Sequence, residues 1–582
     1  MSQKLGLIPA LTLLVFVAQN AMAAQSLPPA IEWIPQDAVI SLELTQPKAL
    51  LEFLSCEKAT AAITALPLYQ KQASSPQFKE FFNLINFIEI TLGTDWRTAL
   101  AKLTGGGITF AICPEDMLIL IIDAEDQDML QKLHEIFLNM ARSGADQQQV
   151  ASTEFGDVTA WTFNGKESHA IIGKRLVFAS SPEGLKAVLE LRANSKGANL
   201  TSNSTYQKAK AAVKPDAVAT IFADLKLLMQ IPNIAQALEQ QRQNPMTALL
   251  LAGVIETIRD SNWLALELHL KENTLDFQLS VDGKTVSTTS PVAFAIPNKP
   301  GEGILPNLSV PRRIAAFSLY RDLHSFYAAK DDLFPERTSG LIFFENMMGI
   351  FFSGRDLTNE VLIETKPEIR LVVAEQEYDP AIGTPQVKYP AVALILRLRH
   401  PDQFNEVAEE AWQKVVGLIN FTRGQQAMPG LIIDRPSQGK TKYTVAYFST
   451  TGMEDKTNLD SRFNIRPSLA MPGEYLILSS TDGLAQDLID ALHQETEQTP
   501  KPLAGTHSMV ELEGGQLASI LQANRKTLVQ GNMVGKGSTQ EQAEANIDMF
   551  ISLAKFLDSA KLDISVHEGL TRAGLELKLN LQ

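Results

Sequence analysis

The sequence predicts an α+β fold made of two tandem repeated units, each with largely antiparallel sheets covered by helices on one face. Apolar runs of strand length come in adjacent pairs that are separated by single helices, which is typical of antiparallel sheets rather than of a doubly wound nucleotide fold. One motif also occurs twice, as GKRLVFASSPEGLKAVLEL at 173–191 and as GEYLILSSTDGLAQDLIDAL at 473–492. Such an internal repeat indicates a duplicated structural module.

Each copy of this motif consists of an apolar run, a turn with two neighbouring hydroxyl residues and an amphipathic helix. Ser181 is expected to cap the first helix, and Ser480 or Thr481 to cap the second. The apolar residues of each helix lie on one side and predict packing against a sheet. They are Leu185, Val188 and Leu189 in the first copy, and Leu484, Leu488, Ile489 and Leu492 in the second.

The repeat sets the expected domain boundaries. Residues 24–282 form the first α+β unit, 283–309 a linker rich in Ser, Thr, Pro and Gly, and 310–582 the second unit. Residues 1–23 read as a secretory signal peptide, with Lys4, an apolar segment and a small-x-small site at Ala21-Met22-Ala23. A membrane anchor is the alternative, but the apolar run is shorter than the ~20 residues of a spanning helix. We therefore expect an exported protein, periplasmic or extracellular in a bacterium, without a transmembrane anchor after signal removal.

The formal net charge of −15 disfavours nucleic acid and anionic lipid headgroups as partners. The chain contains two cysteines, Cys56 and Cys113, which could pair in an oxidising compartment. No spacing rule connects them, so the sequence leaves this disulfide open.

Three further patterns predict packing. At an offset of 276 residues, Leu118-Ile119-Leu120 aligns with Leu394-Ile395-Leu396. Two helices rich in Phe, at 78–92 and 343–352, are expected to be the buried faces of a large core, with a lipid or ligand surface as the alternative. Each unit closes with a hairpin, and alternation predicts that the face of Leu264, Leu266, Leu268 and Leu270 and that of Leu275, Phe277, Leu279 and Val281 are buried.

Several segments resemble a known family. They are Ser204 to Lys210 with Lys214 to Leu225, Gly93-Thr94-Asp95 with Gly105-Gly106-Gly107, and the Ser-Ser-Pro-Glu-Gly-Leu turn at 180–185. The chain thereby resembles exported bacterial proteins of the domain of unknown function 3352 type, over most of 30–282 and more weakly over 308–582. In the second unit Arg313 replaces an Asp and the triple Gly is missing. The resemblance implies fold and export, and it supplies no activity and no catalytic residues.

Known catalytic and binding motifs do not fit the chain. His134-Glu135 and His567-Glu568 begin a zinc-protease motif without its second His, and there is no GxSxG. In Gly535 to Thr539, Gly-Lys is followed by Gly and not by the Ser or Thr of a phosphate loop. The segment therefore predicts a turn between helices. Asp123 to Asp128 lacks the Gly and Glu of a calcium loop and predicts a helix start. Thr104 to Gly107 leads into a strand and predicts close backbone packing. The sequence therefore nominates no catalytic residue, no cofactor-binding residue and no metal ligand.

Three functional hypotheses remain. The first is a non-enzymatic cell-envelope protein that binds or scaffolds an unknown envelope partner, because framework residues recur between the repeats and polar clusters do not. The second is a carrier of an apolar, lipid-like ligand, which requires an apolar cavity. The third is a hydrolase whose residues converge from distant segments, which requires a cleft with two suitably spaced carboxylates.

Overall fold

The computed structural model describes residues 27–581, except for 65–68, 70–72, 74–82, 84, 88, 144–148, 195–196, 231–235, 237–244, 284–292, 335–337, 454 and 499. The helices are α1 Pro47–Leu54, α2 Glu57–Thr64, α3 Trp96–Thr104, α4 Gln127–Ser143, α5 Pro182–Ala193, α6 Ser204–Ala212, α7 Leu225–Leu228, α8 Pro245–Asp260, α9 Leu323–Ala328, α10 Lys330–Leu333, α11 Thr338–Phe351, α12 Pro401–Gln425, α13 Asp482–Gln498, α14 Gly514–Ala523, α15 Arg525–Lys536 and α16 Gln540–Phe556.

The strands are β1 Ile40–Leu44, β2 Gly107–Cys113, β3 Met117–Asp123, β4 Val150–Phe155, β5 Val158–Phe163, β6 Glu167–Ile172, β7 Arg175–Ala179, β8 Ala219–Asp224, β9 Trp263–Lys271, β10 Thr274–Val281, β11 Gly303–Ile304, β12 Arg313–Tyr320, β13 Thr365–Ala374, β14 Ala391–Leu398, β15 Ile432–Asp434, β16 Ser437–Gln438, β17 Thr441–Tyr447, β18 Ser468–Ala470, β19 Tyr475–Ser479, β20 Leu503–Ala504, β21 Thr506–Glu513, β22 Leu557–His567 and β23 Leu570–Leu579. The fold is α+β, as predicted, because the named strand pairs are antiparallel.

The residues form two compact units. Unit 1 contains the described residues up to Glu43 together with Lys102–Gln207, and unit 2 contains Leu44–Ala101 together with Lys208–Gln582. In unit 1 the strands follow the order β1-β2-β3-β7-β6-β5-β4. In unit 2 one sheet follows the order β8-β9-β10-β23-β22-β21-β12-β13-β14-β19-β18-β17-β15. A separate small sheet pairs β11 with β20.

The strand order is the same in two segments of the chain. The order β1-β2-β3-β7-β6-β5-β4 of residues 40–179 matches β12-β13-β14-β19-β18-β17-β15 of residues 313–479, strand by strand. Matching hydrogen bonds fix the register. Ser180 Oγ accepts from the N–H of Leu118 at 3.0 Å, and Ser480 Oγ accepts from the N–H of Val392 at 2.9 Å. Leu118 therefore corresponds to Val392, so β3 and β14 are offset by 274 residues rather than the 276 inferred from similarity of apolar runs.

The repeated motif adopts the predicted local structure in both copies. The Ser181 side chain accepts a hydrogen bond from the N–H of Gly184 at 3.1 Å, and Thr481 accepts one from the N–H of Leu484 at 3.3 Å. Thr481 rather than Ser480 is thus the second cap, because Ser480 is engaged by β14. The predicted apolar residues of α5 and α13 are buried, which confirms that these helices pack on sheets.

Helices cover both faces of the sheet in residues 313–479, whereas the sequence predicted one face. Ile395 and Ile477 pack beneath α13 with Leu488, while Leu396 and Leu476 pack on the opposite face beneath α12. The reason lies in the strands, where apolar residues follow one another without alternation. Continuous apolar runs are typical of strands that are buried on both sides.

The closing hairpin of the first predicted unit buries mainly the face opposite to the predicted one, although Val281 is buried as predicted. In β9 the buried residues are Trp263, Ala265, Glu267 and His269, and the four leucines are only half-buried. The alternation of leucines with more polar residues was misleading because the loop 214–216 covers the polar side of β9. Glu267 accepts a hydrogen bond from the N–H of Lys214 at 2.9 Å, and His269 Nδ1 lies 3.6 Å from a carboxylate oxygen of Asp216.

The second half of the predicted linker is packed into unit 2. Phe294, Ala295 and Ile296 are buried, and they cluster with Leu333 and Phe334. These residues form a short 3-10 turn, Ala293–Ala295, and do not join a sheet edge as an added strand. Part of the predicted linker, including 294–296 and 303–305, therefore belongs to the core, while 298–301 are exposed. The division of the chain into two repeats at this segment stays a prediction.

Candidate functional site

A polar cleft of about 710 Å³ lies in unit 2 between the first half of α12 and the strands β17 and β18. Asn405, Glu406 and Glu409 of α12 form one wall, and Thr441 to Thr444 of β17 form another. Lys440 and Arg435 come from the turns that lead into β17. The helix is held in place by Phe404, Ala408 and Trp412, which are buried against the sheet, so the neighbouring residues of α12 face the cleft.

One carboxylate of the cleft is held by three neighbouring side chains. Glu409 accepts hydrogen bonds from Thr444 Oγ1 at 3.1 Å and from Gln413 Nε2 at 3.0 Å, and it forms an ion pair with Arg435. Most of these contacts fall on Oε1, and Oε2 is reached only by Thr444 Oγ1 at 3.2 Å. The cleft also contains Lys440, Lys442 and Glu406, for which the described residues provide no ion pair.

The corresponding space in unit 1 is filled by aromatic and imidazole side chains. His169 pairs with Trp161 and Phe178 across β5-β6-β7, just as Leu469 pairs with Thr444 and Leu478 across β17-β18-β19. His169 stacks on Phe163 with ring centroids 5.0 Å apart, and its Nε2 lies 2.9 Å from Nε2 of His134 on α4. In the part of the chain that the structure describes, no group forms a hydrogen bond with the buried Nδ1 of His169.

Burial keeps this histidine pair neutral. Desolvation, together with the nearby His134, lowers the pKa of His169 to about 4, and desolvation also lowers the pKa of His134. One of the two Nε2 atoms must donate and the other accept, and in either arrangement the buried Nδ1 of His169 has no partner among the described residues. The two imidazole rings therefore bond each other.

Large apolar side chains are exposed on α11, on the second half of α12 and on β15. On α11, Phe343 is 70% and Ile350 69% exposed, which contradicts the prediction that this Phe-rich helix is a buried face. On α12, Phe421 is 63% exposed, and Leu418 is 52% exposed. Ile432 and Ile433 of β15 are also exposed, and α11 packs against α12. Of the other Phe-rich segment, 78–92, residues 78–82, 84 and 88 lie outside the described residues, and in the described part Phe87 is 48% and Ile90 82% exposed.

A second apolar surface lies on the sheet of unit 2. Leu266 pairs with Leu279, Leu268 with Phe277, and these strands continue through β23 and β22. Their side chains on this face are half-buried rather than buried. The members named here are Leu264, Leu266, Leu268, Leu270, Leu275, Phe277, Leu279, Leu562, Leu575 and Leu577, and we call them the aliphatic sheet face.

Arg321 forms a buried node that the sequence did not reveal. It is 1% exposed and donates six hydrogen bonds, to the carbonyl groups of Leu249, Leu250, Ala295, Tyr320 and His507 and to Ser508 Oγ. Burial lowers the pKa of Arg321 to about 10 and, with the charge of Arg321, lowers that of His507 to about 3. The node joins β12 to α8, to the Ala293–Ala295 turn and to β21.

The motifs that the sequence analysis treated as structural have structural roles. Asp126 caps α4 through the N–H of Met129 at 3.0 Å, and Thr539 caps α16 through that of Gln542 at 3.3 Å. A Cβ on Gly106 would lie 2.8 Å from the carbonyl oxygen of Asp123, so this glycine permits the predicted close backbone packing. Cys56 and Cys113 are free thiols, and burial raises the pKa of Cys113 to about 12.

Among the described residues, no group of three or more His, Cys, Asp or Glu is arranged to hold a metal ion. In the same residues, no helix combines the length and hydrophobicity needed to cross a bilayer.

The comparisons with known proteins give little further guidance. No family model and no curated protein matches the chain. Two crystal forms of TP0453 align with it. Form I has a TM-score of 0.25 and 10% identity, covering 46% of this chain and 84% of that one. Form III has a TM-score of 0.24 and 9% identity, covering 45% and 82%.

Proposed function

We propose that this chain is an exported, non-enzymatic protein of the bacterial cell envelope that binds a partner protein. The observation that carries the proposal is the group of exposed apolar side chains on α11 and on the second half of α12, two helices that pack against each other. Contiguous exposed apolar patches on folded proteins commonly mark interaction sites. Aromatic residues such as Phe343 and Phe421 are also the residue type that provides much of the binding energy of interfaces.

Charge favours a protein over a lipid surface as the occupant. The chain carries a net charge of −15, which opposes close approach to anionic headgroups. A membrane-binding helix usually has Lys and Arg on its polar face, but α11 contains no Lys or Arg. Hence the apolar surface is proposed to pack against an apolar surface of another envelope protein.

The test is native mass spectrometry of the full chain purified from its own envelope, followed by reconstitution with the purified partner. The variant Phe343→Ser/Ile350→Ser is expected to weaken the complex at least tenfold, about 1.4 kcal/mol. The matched control is Val534→Ser/Phe550→Ser, which removes two exposed apolar residues from α15 and α16 and should leave affinity unchanged. The proposal would be overturned in favour of lipid binding by two results together. No partner protein would be found, and the chain would float with phosphatidylethanolamine–phosphatidylglycerol vesicles while the Phe343→Ser/Ile350→Ser variant would not.

A second candidate is a carrier of an apolar, lipid-like ligand, and the half-buried aliphatic sheet face favours it. Binding energy would come from covering its leucines, at about 25 cal/mol per Å² of apolar surface. Lipid extracted in stoichiometric amount from the purified protein, and lost in Leu268→Asn/Leu577→Asn, would support the carrier. The hydrolase hypothesis has less support, because Glu409 is engaged by Arg435 and the imidazoles of His134 and His169 bond each other.

We also propose that the two sequence units descend from one module. The shared strand order of 40–179 and 313–479 supports this, as do the matching bonds of Ser180 and Ser480. A duplicated scaffold whose exposed side chains differ between copies is consistent with a binding protein that uses one copy for its partner.

A further inference from the structure

We infer that the cleft between α12, β17 and β18 binds a small anionic molecule that carries a phosphate or carboxylate group. This inference is separate from the partner surface of α11. The volume, about 710 Å³, lies within the range of small-molecule sites, about 300–1,000 Å³.

The cleft exists because a small residue stands where unit 1 has a bulky tryptophan. Thr444 occupies the strand position of Trp161, and Leu469 that of His169. In unit 1 the ring centroids of Trp161 and His134 lie 5.9 Å apart, so rings occupy the space between helix and sheet. In unit 2 the corresponding space is open and lined by side chains that can form hydrogen bonds.

The charges of the cleft select an anion. Arg435, Lys440 and Lys442 face Glu406 and Glu409, and Glu409 is neutralised by Arg435. Lys440 and Lys442 then outnumber Glu406, in a chain whose net charge is −15. Two ammonium groups on alternate residues of one short segment suit an oxyanion, since Lys is a common phosphate ligand.

The remaining lining residues suit a mainly polar body. Asn405 offers an amide group, while Leu469, Ala470 and Met471 supply a small apolar floor. The hydroxyl groups of Thr441 and Thr444 already bond His493 and Glu409. Tyr443 also lines the cleft, but its hydroxyl already accepts a hydrogen bond from Gln486 Nε2 at 2.5 Å. A hydroxylated molecule with one anionic group would use both kinds of side chain.

The experiment is isothermal titration calorimetry of the full mature chain with inorganic phosphate, pyrophosphate and citrate at an ionic strength of about 10 mM, where screening is weak. We expect one site per chain for at least one probe, and at least tenfold weaker binding in Lys440→Gln/Lys442→Gln. The control Lys526→Gln/Lys536→Gln removes the same charge from α15 and should bind as the parent does. Pyrophosphate against citrate distinguishes phosphate from carboxylate recognition.

A second variant tests the cleft without changing charge. Asn405→Trp places a bulky ring on an exposed wall residue and should also weaken binding at least tenfold, while circular dichroism stays unchanged. The inference fails if none of the three probes binds, if both lysine pairs weaken binding equally, or if Asn405→Trp binds as tightly as the parent. In the last case the anion would sit on the surface and not in the cleft.

Discussion

The histidine pair of unit 1 shows how one buried contact can make stability depend on pH. His169 is 6% exposed, and its Nδ1 has no partner. In the unfolded chain a histidine has a pKa of about 6.5. Its pKa in the folded chain is about 4, so between these values the unfolded state binds more protons than the folded state.

We predict that unit 1 loses stability as pH falls from about 6.5 to about 4, by on the order of 3 kcal/mol from His169, and loses no more from His169 below that window. The variant His134→Ala/His169→Leu copies Ala408 and Leu469, which stand in the corresponding place of unit 2. It should flatten the pH dependence of the urea midpoint. His507, whose pKa is lowered to about 3, supplies a remaining slope. The exposed-site variant His567→Gln is the control, and an unchanged slope in the double variant would contradict the prediction.

Arg321 is the second residue whose loss should be costly. Arg321→Met would leave the buried carbonyl groups of Ala295 and His507 without the guanidinium donor. Buried unpaired groups cost about 1–3 kcal/mol each, so we expect a loss of at least about 3 kcal/mol in the free energy of unfolding, measured by urea denaturation. Arg399→Met removes a single, exposed side-chain bond to the carbonyl of Ile363 and should cost within about 0.5 kcal/mol. Equal losses of unfolding free energy in the two variants would show that the buried hydrogen bonds of Arg321 do not stabilise the fold.

Helices and turns were the part of the fold most open to prediction, because their signals are local. Ser181, Asp126 and Thr539 each act on a backbone N–H three residues away. The histidine pair could not be foreseen in this way. Its members are 35 residues apart, on a helix and a strand that only the tertiary fold brings together. The prediction of the buried hairpin face was wrong for a related reason, since a distant loop at 214–216 covers Glu267 and His269.

The two caps of the repeated motif allow a matched test. Ser181→Ala and Thr481→Ala should each destabilise the protein by about 0.5–2 kcal/mol, because each removes the acceptor of one helix-end N–H. The measurement is the urea midpoint of each variant. Ser552→Ala, whose hydroxyl only bonds back to the carbonyl of Asp548 within α16, should change stability by less than about 0.5 kcal/mol. A loss at only one of the two caps would mean that the copies differ in how the motif stabilises them.

The cleft and the exposed α11 surface lie beyond what sequence patterns can show. Whether Phe343 is buried depends on which elements pack on α11, and the spacing of apolar residues along the sequence does not contain that information. The open space beside Thr444 depends on residue size at a position that is defined only by strand pairing. Sites of this kind therefore require coordinates even when the order of elements is read correctly.

The sheet of unit 2 joins the closing hairpins of both predicted repeats edge to edge. β10 pairs with β23, and Gln278 lies opposite Gly574, each being the fifth residue of its strand. Turns of two residues precede both strands, and Glu272 and Glu568 have positive φ angles of 43° and 51° in them. A contact centred on equivalent residues is the geometry of a two-fold axis between two copies of one module.

This geometry predicts the behaviour of a fragment. A chain of residues 293–582 retains β11 to β23 but lacks β10, so one edge of β23 would be open, and open edges pair with another chain. If the repeats are equivalent, two fragments should pair through β23 around Gly574, and native mass spectrometry should show a homodimer. Leu575→Lys/Leu577→Lys should favour the monomer, because charged side chains on an edge oppose pairing. A fragment that stays monomeric at micromolar concentration, or a dimer that the lysines leave intact, would show that the β10-β23 contact is not a duplicated edge.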